Sequence, residues 1–164
     1  LDGQYPYTIN PGGPNHEELV SLIGIYDYME KLYNHHFDDK NLSIRNKINK
    51  VNNLISKHEE EITGPILNYI DKEKNFNLIG KNHITNKNRA PTISFTNKKI
   101  SSKKTSQVLV SNNIATRNDN FYAWRCLKAL GIDVHDGVVR ISLTHYNTIE
   151  DIERLLSVFK NKFN

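Results

Sequence analysis

Apolar residues recur three and four positions apart along most of this 164-residue chain, the pattern of helices that bury one face. Five helices are expected, at residues 15–34, 42–70, 101–113, 121–131 and 148–163. The first and last begin with capping pairs, Asn15 with Glu18 and Thr148 with Asp151. In the second helix we expect a kink or a break at Pro65, because proline removes a backbone hydrogen bond.

Short apolar or alternating runs between these helices predict strands. They lie at residues 76–79, 91–96, 114–117 and 137–143. Pro91 fits the first position of its strand, where no ladder hydrogen bond is needed. With 37% hydrophobic residues, the chain is long and apolar enough for one α/β or α+β domain with a core.

Arg140 lies in the middle of the last predicted strand, among apolar neighbours. Side chains alternate along a strand, so Arg140 points to the face opposite Val139 and Ile141. A guanidinium there must be paired, because burying an unpaired charge costs several kcal/mol. Its planar fork suits a bound carboxylate or phosphate, and a structural ion pair with Asp133 or Asp136 fits the strand equally well.

The composition excludes several classes of protein. No apolar run approaches the roughly 20 residues of a membrane span, and no signal peptide opens the chain, so we expect a cytoplasmic protein. The single cysteine, Cys126, cannot form an internal disulfide or a cysteine-rich zinc site. Adjacent histidines near residue 35 lack a third cluster of ligands, so no metal site is expected.

The net charge of +4 is modest, and its main cluster is formed by Lys98, Lys99, Lys103 and Lys104. No stacking aromatic residues are interleaved with these lysines beyond Phe95. We interpret the cluster as a solvated loop, and nucleic-acid binding is kept only as an alternative.

The run from Val139 to Thr148, VRISLTHYNT, together with the start of the last helix, resembles the C-terminal segment of class V aminotransferases. The cysteine desulfurase-like subgroup, whose members are pyridoxal-phosphate enzymes, has an Arg-x-Ser-x-x-x-Tyr-Asn-Thr pattern there. The segment from Pro91 to Phe95 is similar to a Pro-Thr-x-Ser-Phe strand of that subgroup. The resemblance implies an α+β fold (an α/β sandwich): a mainly antiparallel sheet of three or four strands covered by helices, as in the C-terminal small domain of fold type I enzymes.

The resemblance also implies roles for residues near the last strand. Arg140 would bind the α-carboxylate of an amino-acid substrate. Arg117, Asn120 and Tyr122 would line the substrate side of the same site.

The turn Gly12-Gly13-Pro14-Asn15 is similar to a Gly-Thr-Pro-Asn turn of the family. By this resemblance, Gly12 and Gly13 would offer backbone amides to the phosphate of pyridoxal 5'-phosphate in the partner subunit of a homodimer. Gly13 replaces the usual threonine, so only the backbone contact is implied.

Two departures from the family limit the expected chemistry. Tyr122 stands where cysteine desulfurases have the nucleophilic cysteine, and a phenol cannot hold a persulfide. Cys126 falls four residues later in the predicted helix 121–131 and is interpreted as a small core residue. No His-Lys pair of the kind that supplies the Schiff-base lysine occurs in the chain.

The resemblance covers only the last part of a family member. We expect residues 1–40 to be a linker arm and a helix from the large-domain boundary, and residues 41–164 to be the small domain. The large domain with its lysine would be absent, so this fragment of a transferase or lyase should be inactive alone. The alternative is a stand-alone α+β interaction domain without catalysis, in which Arg140 makes a structural ion pair.

Overall fold

The computed structural model describes residues 12–39, 41–85 and 88–163. The helices are α1 (His16–His36), α2 (Ile44–Lys72), α3 (Ser102–Ser111), α4 (Trp124–Ala129) and α5 (Ile149–Phe163). The strands are β1 (Phe76–Ile79), β2 (Thr92–Asn97), β3 (Arg117–Asp119) and β4 (Val138–Ser142). The chain divides into two compact units between Leu54 and Ile55, inside α2.

The first unit contains α1 and the beginning of α2. Asn15 caps α1, because its side-chain oxygen accepts hydrogen bonds from the backbone N–H groups of Glu17 and Glu18. Tyr33 is fully buried near the end of α1. The apolar residues in the first half of α1 are half exposed or more: Leu19, Val20, Leu22, Ile23 and Ile25.

The second unit is built on a four-stranded sheet with strand order β1-β2-β4-β3. Every neighbouring pair is antiparallel, which confirms the predicted α+β fold. On the central strands, Ile93 lies opposite Ile141 and Phe95 lies opposite Val139. All four side chains are buried, so this face of the sheet carries the core.

Three helical segments cover the core face of the sheet. The second half of α2 contributes Ile62, Ile66, Leu67 and Ile70 to the core, and α3 contributes Leu109. α5 contributes Ile152, Leu155, Val158, Phe159 and Phe163. The rings of Phe76, Phe95 and Phe159 have their centroids 5.3–5.7 Å apart. This cluster packs α5 against β1 and β2.

The sequence predicts a kink or a break at Pro65. The break does not occur, because α2 continues unbroken from Ile44 to Lys72, and the kink stays a prediction. An interior proline costs about 3 kcal/mol through its missing N–H and its steric clash. Fully buried Ile62 and Ile66 flank Pro65, and packing of an amphipathic face supplies most helix stability in proteins. Burial on both sides therefore keeps the helix intact.

The third strand begins later than predicted. Residues 114–116 are not part of β3, which starts at Arg117. Asn113 has a φ of 60°, so the chain turns sharply after α3, and Ile114 packs against the core instead. Pairing with β4 begins only where Arg117 lies opposite Arg140.

α4 buries a single side chain, Leu127, although the pattern predicted an inward face. Trp124 and Leu130 are about half exposed. Cys126 is exposed, so its interpretation as a core residue was wrong. The helix has only six residues, which is too short for a wide buried stripe. The predicted glycine stop is confirmed: Gly131 has a φ of 69° and ends the helix.

Candidate functional site

Arg140 lies at the centre of β4, on the face of the sheet opposite the core. Its neighbours across the sheet are Ser94 on β2 and Arg117 on β3. Val139 and Ile141, which flank Arg140, point into the core and are buried. The alternation of the strand therefore presents the guanidinium to the second face, as the sequence predicted.

The two acids considered as partners of Arg140 are engaged elsewhere. The carboxylate of Asp136 accepts the backbone N–H of Ser102 at 2.9 and 3.1 Å, where α3 begins. The carboxylate of Asp133 accepts the backbone N–H of His135. Among residues 12–39, 41–85 and 88–163, no carboxylate forms an ion pair with Arg140. The structural ion pair with Asp133 or Asp136 is therefore absent from the part of the chain that the structure describes.

Two arginines lie side by side on this face of the sheet. Directly opposite residues of an antiparallel pair have their Cβ atoms about 5 Å apart, and like charges there are destabilising. In the described part of the chain, neither Arg117 nor Arg140 has a carboxylate within ion-pair distance. An unbalanced pair of positive charges favours a negatively charged ligand.

The side chain of Arg140 stacks on Phe121. Its Cζ atom lies 4.2 Å from the centroid of the Phe121 ring, which is a cation–π distance. Phe121 belongs to the loop between β3 and α4, and that loop has an unusual backbone. Phe121 and Tyr122 have φ values of 53° and 61°, in the left-handed region that non-glycine residues rarely adopt.

Hydrogen bonds of Asn120 hold this loop. Its Oδ1 accepts the backbone N–H of Tyr122 at 3.0 Å, and its Nδ2 donates to the carbonyl of Val134 at 3.3 Å. The carbonyl of Asn120 accepts the backbone N–H of Ala123 at 2.8 Å. Asn120, predicted as a substrate contact, therefore uses its amide mainly to fix the loop.

Gly137 packs against the start of the same loop. Its φ is 70°, and a Cβ atom at this position would lie 2.3 Å from the carbonyl carbon of Asp119 and 2.7 Å from the nitrogen of Asn120. Only glycine fits this close backbone approach. The start of β4 can therefore pack directly against the end of β3, close to Arg140.

A cavity of about 230 Å³ lies between this loop, α4 and the second face of the sheet. Its charged group is Arg140, at one wall. The other lining residues are apolar or uncharged: Ile79, Ser94, Asn120, Phe121, Ala123, Cys126, Leu127, Leu130 and Val138. A small molecule that combines a carboxylate with an uncharged group matches this lining.

The predicted site residues have different places relative to this cavity. Arg140 and Asn120 line it, whereas Arg117 lies on the neighbouring strand and is exposed. Tyr122 does not line it, and its side chain is completely exposed. Sequence analysis missed Phe121 because it assigned this residue to the predicted helix 121–131, whereas α4 begins only at Trp124 and Phe121 lies in the loop before it.

Gly12 and Gly13, the predicted phosphate contacts, lie in the first unit. Both residues are exposed and precede the Asn15 cap of α1. Their predicted role toward a partner subunit's cofactor stays a prediction.

The Asn147-Thr148 part of the family pattern has a structural role in the turn before α5. The backbone N–H of Thr148 donates to the Asp151 carboxylate at 3.2 Å, and the Thr148 hydroxyl accepts the backbone N–H of Asp151 at 3.4 Å. These bonds confirm the predicted capping pair. The hydrogen bond from the Thr148 backbone, and a second one from Asn147, lower the pKa of Asp151.

The sequence model of the aminotransferase class-V family matches residues 44–155, which is more than half of the chain. The chain belongs to the class V aminotransferases. The aminotransferase-like protein FGM3 of Gibberella zeae is 29% identical to this class V chain over 104 residues. That match covers 62% of the chain and 26% of FGM3.

Solved structures of similar fold include cysteine desulfurases. CsdA of Escherichia coli has a TM-score of 0.64 at 16% identity, over 94% of this chain and 32% of CsdA. The apo cysteine desulfurase of Thermococcus onnurineus has a TM-score of 0.56 at 22% identity, over 73% of this chain and 30% of its own. At these identities the likeness is one of fold. The chain spans about a quarter to a third of the relatives' length.

Class V aminotransferases use pyridoxal phosphate, so the residues at Arg140 can be tested against that cofactor. Pyridoxal-phosphate chemistry needs a lysine for a Schiff base and an acid that pairs with the pyridine nitrogen. Among the described residues, the cavity at Arg140 is lined by no lysine and no acid. An arginine at the wall of a mainly apolar cavity suits a carboxylate, and the lining residues do not by themselves fit the cofactor.

Proposed function

We propose that this chain is the C-terminal small-domain part of a pyridoxal-phosphate-dependent, cysteine desulfurase-like enzyme that acts on an amino acid. In this proposal Arg140 binds the α-carboxylate of the substrate, and the domain forms a lid over the active site. Family membership supports the enzyme class. The observation that supports the role of Arg140 most directly is its position in a mainly apolar cavity without a carboxylate partner among the described residues.

Arg140 has the chemistry that carboxylate binding requires. The guanidinium carries several N–H donors in one plane and can hold a carboxylate through two parallel hydrogen bonds. The apolar walls exclude water from one side, and a charged hydrogen bond is stronger where water is excluded. Arg117 on the neighbouring strand adds positive charge beside the proposed carboxylate.

We further propose that Tyr122 does not replace the cysteine of desulfurases chemically. A sulfur acceptor must attack as a thiolate, whereas a tyrosine hydroxyl has a pKa near 10 and cannot hold a persulfide. Tyr122 is fully exposed in the loop, and in this proposal it lines the substrate side together with Asn120. The reaction proposed for the enzyme is therefore amino-acid chemistry other than classical desulfuration.

The cofactor and the dimer belong to the same proposal. Gly12 and Gly13 would contact the cofactor phosphate of a partner subunit through their backbone amides, since exposed amides near a helix N-terminus attract anions. Absorbance spectra of the complete gene product, followed by borohydride trapping and peptide mass spectrometry, test for the cofactor. A trapped lysine is the expected result.

The test of Arg140 is equilibrium binding of a panel of the twenty common L-amino acids to the complete gene product. Arg140→Ala should weaken binding of the preferred amino acid at least tenfold, which is about 1.4 kcal/mol. The matched control is Arg125→Ala, which removes the same charge from an exposed position on α4 outside the cavity. Unchanged affinity in Arg140→Ala would remove Arg140 from the site.

The alternative function, a stand-alone interaction domain, makes the opposite prediction. Arg140→Met would then lower thermal stability without affecting any ligand. That alternative drew its support from a structural ion pair of Arg140, and none is present among the described residues.

A further inference from the structure

The loop between β3 and α4 holds two consecutive non-glycine residues in a rarely populated backbone conformation. Phe121 and Tyr122 both have positive φ, but their side chains differ in solvent exposure. Tyr122 is fully exposed, whereas Phe121 is partly buried at the cavity. Strain of this kind persists only where the surroundings enforce it, and it is concentrated at functional sites.

Two features enforce the strained backbone. Asn120 accepts the backbone N–H of Tyr122 and donates to the carbonyl of Val134, so its amide bridges the loop to the segment before β4. Gly137 lets the backbone of Asp119 and Asn120 approach more closely than any side chain would allow. The loop is thus fastened at its entry, directly before Phe121.

The result of this fastening is that the Phe121 ring lies against the Arg140 guanidinium, 4.2 Å from its Cζ atom. At this distance the ring is in cation–π contact with the guanidinium. The N–H donors lie in the guanidinium plane, and a ring packed on the flat face would leave their edge available to a carboxylate. A stacked arginine also has fewer rotamers to lose on binding than a free one.

We infer that Phe121 is a positioning residue: its ring fixes the Arg140 guanidinium so that the edge with the N–H donors faces a carboxylate in the cavity. The inference rests on the proposed function, because it takes Arg140 as the group that binds carboxylate. Phe121 touches the guanidinium and acts on the ligand through it. The negative face of the ring also offsets part of the cost of holding a positive charge among apolar side chains.

A double-mutant cycle tests this inference in the complete gene product. The probe is the L-amino acid that the wild-type protein binds most tightly in the panel of twenty. Phe121→Leu should weaken its binding about three- to tenfold. In an Arg140→Ala background the same substitution should change binding less than about twofold, since the group that it positions is gone.

Three further variants separate the ring from the backbone. Phe121→Trp keeps a cation–π surface and should retain most of the affinity. Phe121→Gly relieves the backbone strain, which offsets part of the stability lost with the ring, and should bind as weakly as Phe121→Leu. Trp124→Leu, which removes a half-exposed aromatic ring outside the cavity, should leave binding unchanged.

An NMR measurement gives a readout that does not depend on binding. The Nε–H proton of Arg140 should be shifted upfield by the ring current of Phe121, and the shift should disappear in Phe121→Leu but not in Trp124→Leu. Absence of the upfield shift in wild type would overturn the stacking itself.

The outcomes distinguish failure of this inference from failure of the proposed function. If no amino acid of the panel binds, or if Arg140→Ala binds as wild type does, the proposed function fails and the inference fails with it. If Arg140→Ala weakens binding but Phe121→Leu does not, Arg140 keeps its role and Phe121 loses its own. An equal loss from Phe121→Leu in both backgrounds would mean that Phe121 only supports the fold.

Discussion

Substitution of Gly137 by alanine is the sharpest test of how the site is held together. The added Cβ atom would lie 2.3 Å from the carbonyl carbon and 2.4 Å from the carbonyl oxygen of Asp119, so backbone has to move. Positive φ costs an L-residue about 1–2 kcal/mol, and overpacking typically costs about 1–3 kcal/mol. We predict that Gly137→Ala lowers the free energy of unfolding by about 2–5 kcal/mol.

Gly131→Ala is the matched control for this prediction. Gly131 has nearly the same φ, 69°, but among the described residues, its own chain neighbours aside, none has an atom within 4 Å of the place that its added Cβ atom would take. It should therefore lose the conformational part alone, about 1–2 kcal/mol. Urea unfolding followed by circular dichroism measures both variants. Equal losses in the free energy of unfolding would refute the reasoning, because the close approach of Gly137 to Asp119 would then add nothing to the cost of the substitution.

Three more substitutions test the fold. Phe159→Ala should cost about 3–5 kcal/mol in urea unfolding, because a fully buried ring leaves a cavity among Tyr69, Phe76 and Phe95. Pro65→Ala should raise the unfolding midpoint, because a backbone hydrogen bond returns to α2. A lower midpoint would mean that Pro65 stabilises the helix more than alanine does. Asp151→Asn should lower the melting temperature at pH 7. Hydrogen bonding, first to the Thr148 backbone, lowers the folded pKa of Asp151 below 3.8, so its stabilisation is complete above that pH and is lost as pH falls through the folded pKa. A melting-temperature difference that does not shrink as the pH falls below the usual pKa of an aspartate would contradict this account of the cap.

Local patterns predicted most of the elements of this fold. The spacing of apolar residues identified α1, α2, α3 and α5. The predicted bounds of β1 match the observed ones, and those of β2 differ by one residue at each end. Pairs such as Thr148 with Asp151 act over a few residues, so their partners are visible in the sequence. The pattern failed in allowing a break of α2 at Pro65 and in placing the start of β3, where long-range packing and strand pairing outweighed the local preference.

The candidate site was predicted only in part. Alternation along β4 placed Arg140 on the second face of the sheet, and this follows from strand geometry alone. Its stacking on Phe121 could not be predicted, because it depends on two positive φ values in a loop without glycine. The exposure of Cys126 was missed because helical spacing does not reveal how much of a short helix the sheet covers.

The sequence by itself determined the order of the elements, the family, and the presence of an arginine facing away from the core. These depend on side-chain periodicity and on short motifs, which act between neighbouring residues. Only the tertiary structure decided that Asp133 and Asp136 are engaged elsewhere, that Phe121 contacts the guanidinium, and that the wall beside it is apolar. The contacts of Asp136 with Ser102 and of Phe121 with Arg140 join segments that are separate in the chain, so they exist only once the sheet has set its register. The hydrogen bond from His135 to Asp133 is local, but the sequence does not show which of several partners an acid takes.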